Sequence, residues 1–136
     1  MYQVTRKSKI NETLQLCNSD GTVAETIVVD INVDQIGSRV NKAYELLGIA
    51  QNTLKKDPHD PKLAEEFGNA VLALFQAIFG AENAEKIVVF YEGNETEMLL
   101  DLFPFINDVI MPKVRDASAA RKEQLKAAAN ISSRKR

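Results

Sequence analysis

The sequence predicts an α+β fold, mainly α: an N-terminal antiparallel β-hairpin followed by a bundle of about five helices. Three observations carry this. Apolar residues alternate with polar ones as far as residue 33, and their spacing then changes to the three-and-four rhythm of a helix. Proline and glycine punctuate the second part at intervals that suit short, connected helices. The length, 136 residues, fits one domain. A core of that size buries roughly two thirds of the surface the unfolded chain exposes, without help from a disulfide or a metal.

The hairpin is expected over about residues 9–33. Ile10, Leu14 and Leu16, then Val23, Ile27, Val29, Ile31 and Val33, follow the period-two pattern of strands with one buried face. Between the runs lies Asn18-Ser-Asp-Gly21, a turn sequence, since Asn and Asp bond their own backbone and Gly accepts positive φ. Cys17, the single cysteine, reads as a small half-buried strand residue.

Helices are expected over about 34–111. Ile36, Val40, Ala43, Leu47, Ala50 and Leu54 form one helical stripe, with Asp34 as N-cap and Lys55 and Lys56 favourably placed in the last turn. Asp57-Pro-His-Asp-Pro61 breaks the chain, with Asp60 as the next cap and Pro61 as first helical residue. The second helix carries Leu63, Phe67, Ala70, Val71, Leu74, Phe75 and Ile78, stops at Gly80, and should pack antiparallel to the first. Residues 81–91 are read as helix rather than strand, ended by Gly93. Asn94-Glu-Thr-Glu97 resembles a capping box opening another helix. Pro104 and Pro112 are expected to break or kink the chain, leaving two short pieces between Glu95 and Met111. Residues 1–112 thus form one globular domain. Residues 113–136 form a basic C-terminal helix, to about Asn130, and a disordered tail.

The charge is uneven. From Lys113 to Arg136 eight basic residues stand against two acidic ones, a net of +6 that leaves the rest of the chain at −8 in a total of −2. Such a split concerns partners more than the fold. Met1 to Lys9 lacks the apolar run of a signal peptide, and no apolar run reaches the roughly 18–20 residues that span a bilayer, so a cytoplasmic protein without membrane contact is expected.

Little in the chain suggests catalysis, and no catalytic residue, cofactor site or metal site is assigned. The only histidine, His59, sits in a proline-flanked turn without a Cys or second His nearby, which suits a solvated turn better than a metal. The glycines are isolated and form no phosphate loop, and no nucleophile motif appears. A binding protein is therefore expected rather than an enzyme. Two features invite a partner. Ile87 to Met111 is dense in large apolar residues, either as ordinary core or as a partly exposed patch whose contact residues would be Phe90, Tyr91, Phe103, Phe105 and Ile106. The basic C-terminal segment is either a solubilising extension or a contact for an acidic partner or nucleic acid through Lys122 and Lys126. Nucleic acid is the weaker expectation, because the body is acidic and no helix-turn-helix with a basic recognition helix is visible.

The hairpin, the helix pair and the segment Phe90-Tyr-Glu-Gly-Asn-Glu-Thr-Glu-Met-Leu-Leu-Asp-Leu-Phe-Pro-Phe-Ile-Asn-Asp-Val-Ile-Met-Pro-Lys-Val114 together resemble the tail assembly chaperones of Gram-positive siphophages and prophages. The resemblance runs from about residue 10 to 130 and rests on layout and this one segment. It implies a protein that coats the long apolar tape measure protein and brings tail tube subunits to it, in the bacterial cytoplasm, without a cofactor. A homo-oligomer is a further expectation about partners. The resemblance implies no residue-level site. A small nucleic-acid-binding or regulatory protein and a structural, oligomer-forming phage protein are the alternatives.

Overall fold

A computed structural model describes the backbone of residues 1–4 and 10–134, and the side chains of all these except 33–36 and 130–134. The chain runs β1 (Ile10–Cys17), β2 (Val23–Ile31), α1 (Val33–Lys56), α2 (Pro61–Phe79), α3 (Ala81–Phe90), α4 (Glu95–Phe105), a π-helical turn (Ile106–Ile110) and α5 (Met111–Arg134). The fold is the expected α+β arrangement, a two-stranded antiparallel hairpin followed by helices.

In the hairpin Ile10 pairs with Ile31 and Leu14 with Ile27, so Ile10, Leu16, Ile27, Val29 and Ile31 turn one face inward. The turn forms as its sequence requires. Gly21 adopts φ +87°, and Asp20 Oδ1 accepts from the Thr22 amide at 2.9 Å and the Thr22 hydroxyl at 2.6 Å. The Thr22 hydroxyl first, and then its amide, hold the Asp20 carboxyl below its ordinary range. The strands pair with a register shift between Leu16 and Cys17, and two expectations change there. Cys17 is exposed rather than half-buried, because it follows the buried Leu16 and so points to the other face, and Val23 faces solvent because the bulge pairs it with Cys17. Val33 belongs to α1, not to the strand.

The α1 stripe is buried at Val40, Ala43 and Leu47. The cap expected from Asp34 falls on a side chain outside the described residues. Asp60 caps α2, accepting from the Lys62 amide at 2.9 Å with Pro61 opening the helix, and Gly80 ends it at φ +83°. Val71, Leu74, Phe75 and Ile78 carry α2 into the core, where burying each such side chain is worth about 1.5–3 kcal/mol. Residues 81–90 are helical, as expected, and Asn83 Nδ2 reaches the Val28 carbonyl on β2 at 3.3 Å. The α3 terminus is a Schellman motif: the Gly93 amide donates to the Val88 carbonyl at 2.9 Å and the Glu92 amide to Val89 at 3.1 Å. Asn94 caps α4 by accepting from the Glu97 amide at 3.1 Å, but its own amide donates to Tyr91 O, so the reciprocal half of the capping box is not made.

The prolines do not divide the chain. Pro104 lies inside α4, where its missing amide leaves the carbonyl of Leu100, an exposed residue, without its usual i+4 donor. After it the ladder opens by one residue, with the Met111 amide donating to the Ile106 carbonyl. This π turn makes room before Pro112, whose ring would clash with an ordinary helical ladder. α4, the π turn and α5 therefore run on as one rod, and the described residues form four helical bodies rather than five. The packed body also extends beyond residue 112. Val114 is fully buried, and Lys113 is ion-paired with Glu12 on β1. The backbone of α5 stays helical to Arg134, past the expected end at Asn130; of the tail expected to be disordered, residues 135 and 136 lie outside the described residues.

Candidate functional site

Where α1 lies along α2, an open trough of about 720 Å³ remains between them. Ala43 and Leu46 of α1 and Ala70, Ala73 and Ala77 of α2 line it, with Gly80 and Ala81 beyond them. The alanines repeat at spacings of three and four, so they occupy one face of α2 and keep its ridge low where larger side chains would fill the space. Leu46 is 50% exposed and Ile49, one turn further along α1, is 62% exposed. Arg39 and Lys42 stand on the α1 side, and Asn69 and Gln76 on the α2 side. The result is an apolar floor with one cationic and one neutral polar margin.

A second apolar surface lies on α4. Leu100 is 70% exposed and Phe103, one turn on, is 37% exposed. The Phe103 ring lies over Tyr44 of α1, centroids 6.4 Å apart.

The expected contact residues divide. Phe103 is on the surface. Phe90 and Phe105 are half-buried, the first set edge-on against Tyr91 at 4.9 Å and the second stacked over Phe79 at 6.4 Å. Tyr91 and Ile106 are buried and are not surface contacts. The cause is the unbroken helix: Met98, Leu102, Ile106 and Ile110 follow at four-residue intervals and all face the core, whereas a break at Pro104 would have freed Ile106 to point elsewhere. Burial, the negative charge of Asp101 with its hydrogen bond, and then Glu97 push the Tyr91 hydroxyl up to about 12. Lys122 and Lys126 are exposed on α5, and the 3.8 Å pair of Lys126 with Glu123 is too solvated to contribute much.

The trough was not visible in the periodicity, because Leu46 and Ile49 lie beside the core stripe. The doublets Leu46-Leu47 and Ile49-Ala50 were the available signal: they widen the apolar arc beyond what one packed neighbour covers.

Among the described residues no polar or charged side chain other than Tyr91 is buried, and no group of three or more His, Cys, Asp or Glu is placed to hold a metal. No described helix is long and apolar enough to cross a membrane. In comparison with known proteins, the chain matches no protein-family model, no curated protein and no solved structure.

Proposed function

We propose that this chain is a tail assembly chaperone that works in the bacterial cytoplasm by covering apolar helices of a protein client. The client implied by its sequence resemblance is the tape measure protein, to which it would help bring tail tube subunits. One observation carries the reading: the open, alanine-floored trough between α1 and α2, which has the shape and polarity that an amphipathic helix needs when it lays its apolar face into a groove. The small floor residues let a client backbone come close, and Arg39 and Lys42 favour a client helix with acidic residues beside its apolar stripe. Leu100 and Phe103 supply further apolar area. The strongly acidic body keeps such a complex soluble, and a shallow site releases its client when the tail assembles.

The test is affinity purification of the tagged chain from cells that also make its genomic neighbours, with Leu46→Glu and Phe103→Ser as the variants that separate the two surfaces. A long, helix-rich client that copurifies with the wild type and is lost with Leu46→Glu supports the reading. Recovery of nucleic acid in its place, lost on removing α5, favours the regulatory alternative.

A further inference from the structure

The face that holds the α1–α2 trough is complementary to itself. Leu46 and Ile49 stand up on the α1 side, 50% and 62% exposed, while Ala70 and Ala73 keep the α2 side low. Only residues 57–60 join the two helices, so they run antiparallel. Leu46 lies ten residues before the end of α1 and Ala73 twelve after the start of α2, which sets them level to within about 3 Å at 1.5 Å per residue. Ridge and floor therefore sit side by side at the middle of one surface. Among the described residues, no side chain fills the space between them.

The charges repeat the arrangement. Arg39 lies seven residues, two helical turns, before Leu46 on the same face of α1. Glu66 is exposed and lies seven residues before Ala73 on the same face of α2. Because the helices are antiparallel, the guanidinium and the carboxylate stand at opposite ends of the face, each about 10 Å from its middle. Lys62, one turn beyond Glu66, is about 16 Å out, past the level of Arg39.

We propose that two copies of this chain pair through this face, about a twofold axis perpendicular to it. Such an axis lays α1 of each copy on α2 of the other. Leu46 of one copy then meets the Ala70 and Ala73 floor of the second, and Arg39 falls beside Glu66 at both ends. Two features select a second copy as the occupant. One surface carries both ridge and floor, which an isologous contact requires, and it carries opposite charges at equal distances from its middle, which the same axis brings together. The pair also covers the trough proposed to hold a client helix. That covering role rests on the client reading, whereas the dimer itself does not.

Sedimentation of the full chain over a range of concentrations tests the dimer. The wild type passes from monomer to dimer, which closes because the contact uses up the face of both copies. Arg39→Glu with Lys42→Glu, and separately Glu66→Lys, each weaken the dimer by about tenfold or more, because like charges then meet at both ends. An equimolar mixture of the two reversed proteins forms a mixed dimer, since each reversed charge meets its complement on the other. Arg39→Gln and Glu66→Gln serve, with a smaller loss, if a reversed protein loses its helical circular dichroism. A wild type that stays monomeric throughout, unimpaired dimers of the altered proteins, or a mixture of the reversed proteins that stays monomeric would each overturn the proposal. Affinity purification with the tagged Glu66→Lys chain separates the dimer from the client reading. Glu66 does not line the trough, so the released monomer recovers at least as much client as the wild type. Reduced recovery would overturn the covering role. No client from either chain, beside a wild type that dimerises, would contradict the client reading and leave the dimer supported.

Discussion

The Tyr44 hydroxyl donates to Asn107 Oδ1 at 2.8 Å, which ties the middle of α1 to the π turn that the prolines impose on the last helical rod. The bond is partly buried, and the same ring lies over Phe103. Tyr44→Phe keeps the ring and removes the bond, and should cost about 0.5–1.5 kcal/mol in urea unfolding. Tyr44→Ala should cost more, by the lost ring contact and burial. Equal stability of Tyr44→Phe and wild type would mean that water replaces the bond fully.

Glu92 is the one described non-glycine residue with positive φ, +54°, at the position after α3 where glycine is usual. A side chain there is strained by its own carbonyl neighbours. Glu92→Gly should therefore stabilise the chain by up to about 1 kcal/mol, visible as a higher melting temperature. A lower one would show that the Glu92 side chain contributes more than the strain removes.

Tyr91 should titrate at about 12 in the folded chain against an ordinary value of 10.0. Its folded value is raised, so its contribution to stability is complete below the unfolded value and is lost as pH rises from there toward the folded one. An ultraviolet difference titration should show one late-ionising tyrosine, absent in Tyr91→Phe, and the variant should unfold less steeply in alkali.

The first half of the fold was legible because its signals are local. Alternation, the Asn18–Gly21 turn, the Asp60–Pro61 start and the Gly80 stop each specify their element without reference to the rest of the chain. The rod from Glu95 was not, because the effect of Pro104 and Pro112 depends on whether the ladder widens between them, and that is decided by the packing of Leu102, Ile106 and Ile110. The same packing explains why the apolar segment divided between core and surface. The trough escaped for another reason: a gap between helices comes from pairs of small residues on two elements, and alanine on either one alone reads as neutral.

Removal of residues 119–136 should leave folding intact, with the melting temperature within about 8 °C of the wild type, because no side chain from Ala119 to Ala129 is buried. Removal of residues 111–136 takes away Met111 and Val114 and should unfold the chain or cost several kcal/mol, since deleting each buried apolar side chain costs about 2–5 kcal/mol. Circular dichroism melts on the two truncations locate the end of the folded body between them.

The central claim is that the α1–α2 trough holds a client helix, and site-specific photo-cross-linking tests it most directly. A photoreactive phenylalanine analogue replaces Ala73 on the trough floor in one protein and Thr13 on the exposed face of β1 in another, in cells that make the neighbouring tail proteins. Both positions are exposed, so both proteins should fold. The predicted result is a cross-link from position 73 to a long helical client, none from position 13, and loss of the first when Leu46→Glu is added. Capture of that client from position 13 alone, or an undiminished cross-link in the presence of Leu46→Glu, would contradict it.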